Sequence, residues 1–373
     1  MPDPRVAKMA QVLVQYSLDL QPGEEFVLNT SPLAQELNLE IYREAILAGA
    51  HVLVVQELPG NREVFYKHAT DAQLEYISPV DKLVVEQFTA TLRVMAPYNT
   101  RELSGIDPAR LARRQKAGAE LSRKFMERAG RGEAKWSITL FPTQASAQEA
   151  DMSLSEYQDF VYSACMLDQP DPVASWTEKA EFQAGLVDWL AGKEQAVLKG
   201  SNIDLTLSFR ERPFVASQGK ENFPDGEILT SPEEDSVNGW VRFSFPGIFQ
   251  GREIEDIELW FEDGRVVKEK ASKGEDLLTE LLNIDEGARR LGEWGIGTNY
   301  GIQRFTKNML FDEKMGGTIH LAVGRGFPQT LSENQSAIHW DMLCDMSDSE
   351  ITVDGELFYK DGQFVVRDLA SVG

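Results

Sequence analysis

Apolar residues recur along the first half of the chain with two spacings, one typical of helices and one typical of buried strands. Residues 5–18 have the helical spacing, and Ser31 followed by Pro32 is a typical start for a helix that continues to residue 48. A long charged helix is predicted at 107–129. Apolar runs predict strands, several of them covered on both faces, at residues 24–30, 51–58, 82–89, 91–97 and 136–142. This alternation predicts an α/β domain around a mostly parallel sheet.

The second half of the chain is dominated by short strands and tight turns. Asp-Gly pairs at 263–264, 354–355 and 361–362 are strong signals for β-hairpins. The segment DQPDP at 168–172 separates the two halves, because proline and aspartate interrupt regular structure. We therefore predict an α/β N-terminal domain with a mostly parallel sheet and an α+β C-terminal domain rich in antiparallel strands, at residues 1–170 and 171–373 respectively.

Composition narrows the class of protein. A chain of 373 residues is long for one compact domain, and its net charge of −23 argues against nucleic acid and anionic membranes as partners. No apolar run approaches the ~18 residues of a transmembrane helix. The N-terminal segment has the pattern of an amphipathic helix rather than a signal peptide, and Cys165 and Cys344 are too few and too distant for a disulfide framework. We expect a cytoplasmic protein with reduced thiols.

The segment SAIHWDMLCD (336–345) contains one of only four histidines in the chain. In a strand, His339 and Asp341 point to one face, while Trp340 and Met342 point to the opposite face, where core packing belongs. An imidazole and a carboxylate that converge in this way suit a divalent metal ion. A hydrogen-bonded His–Asp pair in a half-buried sheet fits the same pattern.

Three further residues are candidates for the same site. Glu227 follows a Pro/Gly-rich loop, Glu293 has small and apolar neighbours, and His320 follows two glycines on a predicted strand. Each also has a structural alternative. Glu227 could be a solvated turn residue, Glu293 could cap a helix or pair with Arg290, and His320 could be a core histidine. Together with His339 and Asp341 they make five donors, which suits a pair of metal ions with one bridging carboxylate. His51 and His68 are expected to be structural or exposed.

Several segments carry a family resemblance. NFPDGEILTSPEEDSVNG, LGEWGIGTN, LFDEKMGGTIHLAVG, SAIHWDMLCD and, in the first half, KWSITLFPTQASAQEADMSLSEY resemble the thermophilic-type metalloaminopeptidases of peptidase family M29, the group of aminopeptidases T, S and II. The resemblance covers nearly the whole chain. It implies an α/β N-terminal domain, a mainly β metal-binding C-terminal domain and a homodimer that encloses its active sites. It also implies two divalent ions per chain, zinc, cobalt or manganese.

Carried over by motif, the family's metal ligands correspond to the five positions already marked: Glu227, Glu293, His320, His339 and Asp341. The resemblance favours Glu293 as the bridging and catalytic carboxylate. Glu313 is a candidate for an extra ligand or a neighbouring catalytic carboxylate, and a surface glutamate paired with Lys314 or Arg304 is the alternative.

One position departs from the family pattern. Members have a tyrosine seven residues after the first histidine, where it is thought to donate a hydrogen bond to the reacting carbonyl, and this chain has Phe327 there. A phenyl ring cannot donate that bond. The resemblance therefore implies either weaker activity or a substitute donor, with Tyr300 and Arg325 as candidates.

The function expected from these features is that of a metal-dependent aminopeptidase. It would release N-terminal residues from short peptides with a free N-terminus through a hydroxide held between two ions. Two alternatives stay open: a dinuclear hydrolase of other small amides or phosphoesters, and a non-catalytic peptide-binding relative.

Overall fold

The computed structural model describes residues 3–249 and 251–366. The chain forms two compact units, the first made of Met1–Ser175 and Gly219–Pro224 and the second of Trp176–Gln218 and Asp225–Gly373. The predicted boundary after residue 170 lies close to the division at residue 175. The return of residues 219–224 to the first unit was not predicted, because the strand that they form is too short to leave a periodic pattern.

Helices make up a much larger part of the first unit than of the second. The α-helices of the described residues are α1 Pro4–Gln11, α2 Gln35–Leu47, α3 Asn61–His68, α4 Asp71–Glu75, α5 Pro79–Gln87, α6 Pro108–Gly130, α7 Gln144–Glu149, α8 Leu154–Ala164, α9 Pro172–Leu190, α10 Glu275–Leu282 and α11 Met309–Asp312. A π-helical turn, Val12–Ser17, continues α1, and short 3-10 turns lie at Pro32–Ala34, Gly287–Arg289 and Pro328–Thr330. No helix in the described part of the chain is long and apolar enough to cross a bilayer.

Strands β1 to β4 and β8 belong to the first unit, and the remaining strands belong to the second. They are β1 Glu25–Thr30, β2 His51–Gln56, β3 Ala90–Met95, β4 Lys135–Leu140, β5 Gln195–Lys199, β6 Ile203–Ser208, β7 Val215–Ser217, β8 Asn222–Phe223, β9 Glu227–Thr230, β10 Asn238–Arg242, β11 Gly247–Phe249, β12 Arg252–Ile254, β13 Glu258–Glu262, β14 Arg265–Lys270, β15 Leu291–Gly297, β16 Thr318–Gly324, β17 His339–Asp345, β18 Glu350–Val353, β19 Glu356–Lys360 and β20 Gln363–Phe364.

A parallel sheet forms the centre of the first unit. Its strand order is β2-β1-β3-β4-β8, and every pair of neighbours is parallel. The inner strand β1 buries Phe26, Val27 and Leu28 completely, as expected for a strand covered on both faces. These strands alternate with helices, so the predicted α/β domain with a parallel sheet is confirmed.

Two details of the first unit differ from the predictions. Residues 82–89 do not form a strand. Residues 82–87 belong to helix α5, because the Ser78 hydroxyl accepts a hydrogen bond from the Val80 amide and Pro79 occupies the first helical turn. This capping outweighs the β-propensity of the valines. Strand β2 is the outer strand of the sheet rather than a covered one, and the side chain of Val54 is 38% exposed.

Antiparallel sheets form the second unit, as predicted. An eight-stranded sheet has the order β14-β13-β10-β6-β5-β18-β19-β20, a five-stranded sheet has the order β17-β16-β15-β9-β7, and β11 pairs with β12. The predicted Asp-Gly turns are present, since both residues of each pair have the positive φ of hairpin turns. The five-stranded sheet carries the candidate site.

Candidate metal centre

The five-stranded sheet brings the predicted ligands together on one face. Glu227 begins β9, Glu293 lies in β15, His320 in β16, and His339 and Asp341 in β17. In the register of the sheet, most neighbours of these residues on the same face are small: Gly297 lies opposite Glu227, Gly295 opposite His320, Ala322 between Glu293 and Asp341, and Gly324 opposite His339, whereas Leu343 lies on the other side of His320. The absence of bulk at these positions leaves room for the five donor side chains.

The other face of the same sheet is apolar and buried. Trp294, Ile296, Leu321, Trp340 and Met342 are all less than 5% exposed and belong to the core of the second unit. Strand alternation therefore separates the donors from the packing residues. The predicted orientation of His339 and Asp341 against Trp340 and Met342 agrees with the structure.

Glu293 lies at the centre of the donor cluster. Its Oε1 lies 3.1 Å from His320 Nε2 and its Oε2 lies 3.2 Å from His339 Nε2. Glu227 Oε2 lies 3.5 Å from His320 Nε2, and Asp341 Oδ2 lies 3.4 Å from His339 Nε2. The donors form two groups of three, each with ligand atoms within 4.8 Å of one another: Glu227, Glu293 and His320 in one, and Glu293, His339 and Asp341 in the other. Glu293 is common to both. A carboxylate with one oxygen towards each group has the arrangement of a bridging ligand.

Backbone carbonyls orient the two imidazoles. His320 Nδ1 lies 3.0 Å from the carbonyl oxygen of Glu313, and His339 Nδ1 lies 2.6 Å from that of Arg325. A carbonyl can only accept, so each Nδ1–H donates and each Nε2 is directed at the carboxylates. Metal-binding histidines commonly donate the N–H of the other ring nitrogen to a carbonyl in this way, which leaves Nε2 as the ligand atom.

Two buried carboxylate oxygens of the cluster lack hydrogen-bond partners in the described part of the chain, which also fits a divalent ion. Glu227 Oε2 and Asp341 Oδ1 are buried side-chain oxygens that have no hydrogen-bond partner among the described residues. Buried polar atoms are nearly always satisfied, and an orphan is a mark of an absent ion or water. Carboxylate oxygens with imidazole nitrogens are ligands that zinc, cobalt and manganese accept.

Gly295 is a site residue that the sequence interpretation missed. A Cβ atom at this position would lie 2.0 Å from Cε1 and 2.1 Å from Nε2 of His320. The imidazole therefore lies directly over the β15 backbone, and only glycine accommodates it. A glycine within an apolar strand is the available signal, since such a residue indicates close approach of another group.

Burial and pairing shift the pKa values of these groups. Burial raises the pKa of Glu227 to about 8, against the opposing effect of the Lys314 charge. Burial opposes ionisation of Glu293 as well, but hydrogen bonds from His320 and His339 outweigh it and lower its pKa to about 2. Although burial disfavours the imidazolium forms, the facing carboxylates raise the pKa of His320 to about 10 and that of His339 to about 11.

Metal binding at neutral pH should therefore release protons. Because the two imidazoles and Glu227 have raised pKa values without ions, each holds a proton near pH 7 that it must lose in order to ligate. Affinity should fall by up to about tenfold per pH unit for each proton displaced as the pH drops from ~8 to ~6. Titration of zinc into weakly buffered protein, followed with a pH electrode, measures the release. Binding without proton release would contradict the assignment of these ligands.

Glu313 and Lys314 lie beside the ligands. The Glu313 carboxylate contacts the Lys314 ammonium, and burial raises the pKa of Glu313. The pairing of Glu313 with Lys314 that the alternative proposed is thus present in the structure. The glutamate is half-buried rather than at the surface, however, and the lysine is fully buried. Lys314 also contacts Glu227, at 3.1 Å.

The remaining predicted residues lie in different surroundings. The Phe327 ring packs against the His339 ring, with centroids 4.9 Å apart and planes at 53°. The Tyr300 hydroxyl donates to the carbonyl of Gly362, at 3.0 Å. Arg325 contributes its carbonyl oxygen to His339, and its side chain is exposed. The structure thus brings Phe327 to the ligands and directs the Tyr300 hydroxyl to backbone, while His51 and His68 are exposed.

Sequence comparison identifies the family. The model of the thermophilic metalloprotease family M29 matches residues 3–364. The chain belongs to this family. M29 membership confirms both the predicted resemblance and the predicted enzyme class, a metal-dependent hydrolase of peptide bonds.

Individual M29 relatives align over almost their full length. Aminopeptidase 2 of Geobacillus stearothermophilus is 28% identical, with 95% of this chain and 94% of the relative covered. Aminopeptidase T of Thermus thermophilus is 27% identical, with 95% of each covered. Among solved structures, wild-type AmpT from Thermus thermophilus has a TM-score of 0.84 at 23% identity over 97% of this chain and 99% of that one. 2,5-Dihydroxypyridine dioxygenase from Pseudomonas putida KT2440 has a TM-score of 0.59 at 13% identity, over 98% of each chain. These two structural likenesses concern the fold alone.

Proposed function

We propose that this M29 protein is an aminopeptidase that uses two divalent ions, zinc, cobalt or manganese, to release N-terminal residues from short peptides. The observation that carries the proposal is the position of Glu293 between two histidines, with one oxygen towards each donor group. Two ions held by Glu227, Glu293 and His320 on one side and by Glu293, His339 and Asp341 on the other would share this carboxylate. The M29 relatives named aminopeptidases support the same activity.

When bound, the two ions would supply an activated water molecule and polarise the scissile carbonyl. The chain's own residues would bind the ions, orient the ligand side chains and transfer protons. Glu313 is our candidate for proton transfer, because it adjoins the cluster and burial raises its pKa towards the neutral range in which an acid–base group works best. It lies outside both groups of three donors, so it remains free for this role.

The proposed substrates carry a free N-terminal ammonium group. A surplus of carboxylates around the site favours a cationic chain end over an anionic one. Lys314, a basic residue in direct contact with a ligand, is fully buried and paired with carboxylates, so it offers no obvious site for a phosphate. The geometry therefore favours peptides over phosphoesters.

The decisive experiment compares matched peptides with free and acetylated N-termini. The protein is stripped with a chelator and reloaded with zinc, cobalt or manganese. We expect activity on aminoacyl substrates only after reloading, and little activity on the acetylated peptide. Equal cleavage of both peptides would contradict aminopeptidase function and favour a broader amidase. Turnover of phosphate esters alone would favour the phosphoesterase alternative, and no turnover with full metal binding would favour the non-catalytic one.

Phe327→Tyr tests the departure from the family pattern. The ring already lies against His339, so the substitution adds only a hydroxyl at the edge of the site. A hydrogen bond to a developing oxyanion contributes up to roughly 10²–10³ in kcat. We expect about a tenfold increase in kcat, because the geometry is not optimised, with little change in KM. A lower melting temperature with unchanged turnover would show instead that the hydroxyl is buried without a partner.

We also propose that the protein is a cytoplasmic homodimer. The exposed apolar side chains of the outer strand β2, including Leu53 and Val55 at 37% and 41% exposure, support an additional contact surface. The buried state of Cys165 and Cys344 is consistent with thiols in a reducing compartment. Sedimentation of the purified protein should give twice the mass of one chain. A monomer across the micromolar range would contradict the dimer.

A further inference from the structure

Lys314 is a fully buried lysine surrounded by carboxylates. Its ammonium nitrogen lies 3.1 Å from Glu227 Oε1 and 3.8 Å from Asp225 Oδ1, and it also contacts Glu313 Oε1. The exposed fraction of its side chain is 0%. A charge in such a position is tolerated only when it is paired, and one of its partners here is a proposed metal ligand.

Backbone contacts place this lysine over the sheet. The Lys314 amide donates to the carbonyl of Phe311 at 3.1 Å, and its carbonyl accepts from the Asn299 amide at 3.0 Å. A Cβ atom on Gly297 would lie 1.9 Å from the carbonyl oxygen of Met315, so the backbone that follows Lys314 crosses β15 in direct contact. The position of the ammonium is therefore built into the segment between α11 and β16.

This ammonium divides the two oxygens of Glu227 between different roles. Oε1 is bound by Lys314, whereas Oε2 lies 3.5 Å from His320 Nε2 and has no hydrogen-bond partner among the described residues. Glu227 thus has one oxygen left for an ion. Glu293 differs, because each of its oxygens faces a histidine.

We propose that Lys314 is a positioning residue that restricts Glu227 to a single ligand oxygen and makes the ion position of Glu227, Glu293 and His320 the weaker of the two. The inference rests on the proposed two-ion function. A fixed cation beside one ligand repels a divalent ion and withdraws charge from the carboxylate. The second position, formed by Glu293, His339 and Asp341, has no lysine or arginine in an ion pair with its ligands among the described residues.

Titration with Co²⁺ tests this assignment, because its visible absorption reports the coordination number. Metal-free wild-type protein should bind two ions with unequal affinity. In Lys314→Met the weaker ion should bind roughly tenfold more tightly or better, since the repelling charge is gone. Its absorption should weaken as Glu227 supplies a second oxygen and the coordination number rises. Tighter binding together with this spectral change is not expected from structural damage, which lowers affinity.

Lys179→Met is the matched control. Lys179 is a second buried lysine near this sheet, 6% exposed, and its ammonium donates to the Thr298 carbonyl at 2.6 Å. Its removal should leave both affinities and the cobalt spectrum unchanged. A similar change in the two variants would overturn the proposal, because the effect would then come from the loss of any buried lysine.

The double variant Lys314→Met/Asp225→Asn covers the case in which the single variant fails to fold. It removes one positive and one negative charge, so fewer unpaired charges remain buried. It should show the same tighter binding and weaker absorption. Unchanged affinity and spectrum, or failure of the double variant to fold, would reduce Lys314 to a structural role and overturn the proposal. If wild-type protein itself binds fewer than two ions, the proposed two-ion function fails instead.

Discussion

Glu293→Ala is expected to abolish binding of both ions and to lower the rate of peptide hydrolysis by at least about a thousandfold. Glu293 is the donor common to both groups of three, and its removal leaves His320 and His339 facing each other without a carboxylate between them. Metal ions lower the activation free energy of such reactions by several kcal/mol, and about 1.4 kcal/mol corresponds to a factor of ten in rate. Metal content after dialysis and the hydrolysis rate of an aminoacyl substrate give the two measurements.

His339→Ala provides the informative comparison. It removes a ligand from only one group, so one ion should remain with Glu227, Glu293 and His320. Glu262→Ala is the matched control, since this glutamate is an exposed residue of β13 in the same unit. Circular dichroism shows whether each variant is folded. Retention of two ions by folded Glu293→Ala would rule out the shared carboxylate and with it the two-ion arrangement.

Gly295→Ala should have the second largest effect, although it changes no ligand. The new methyl carbon would lie 2.0 Å from Cε1 of His320, so either the imidazole or strand β15 must move. The ion held by Glu227, Glu293 and His320 should be lost or bound about a hundredfold more weakly, as happens when groups that orient ligands are disturbed. The ion at His339 and Asp341 should be affected less. Calorimetric titration with zinc separates the two affinities.

Gly118→Ala is the control for this substitution. Gly118 lies within helix α6, and a Cβ atom there would meet no other atom within 4 Å. Alanine at this position should leave metal binding unchanged and raise stability slightly, by about 1 kcal/mol. If Gly295→Ala also binds two ions with wild-type affinity, the close approach of His320 to β15 is not required for the site.

Much of the fold follows from local patterns in the chain. Apolar runs and caps predicted the parallel sheet of the first unit, and Asp-Gly pairs predicted hairpins of the second, because alternation and turn chemistry act over a few residues. The strand predicted at residues 82–89 was also wrong for a local reason. The Ser78-Pro79 cap, three to four residues upstream of the run, begins helix α5, whereas the valines alone indicated a strand. The exposure of β2 was missed because an outer strand and a central strand can have the same composition.

The candidate ligands could be marked from the chain because alternation within one strand is local. His339 and Asp341 share a face in any extended conformation. Glu227, Glu293 and His320 were candidates because of their neighbours in the sequence, and the resemblance pointed to the same five positions. Their arrangement into two groups around Glu293 could not be read from the chain, because it depends on the register between β9, β15, β16 and β17. A shift of one residue in any of these pairs would direct the ligand to the opposite face.

Contacts between distant segments decided the rest of the site. The requirement for glycine at position 295 arises from the histidine of the neighbouring strand. The buried charge of Lys314 is paired with carboxylates at positions 225 and 227. Likewise, the Tyr300 hydroxyl is directed to Gly362, a partner far along the chain. Residue type and periodicity are properties of a segment, so they identify which side chains carry chemistry. Distances, burial and pKa values belong to groups that only the folded chain brings together, and these determine which carboxylate is shared and which one is held by a lysine.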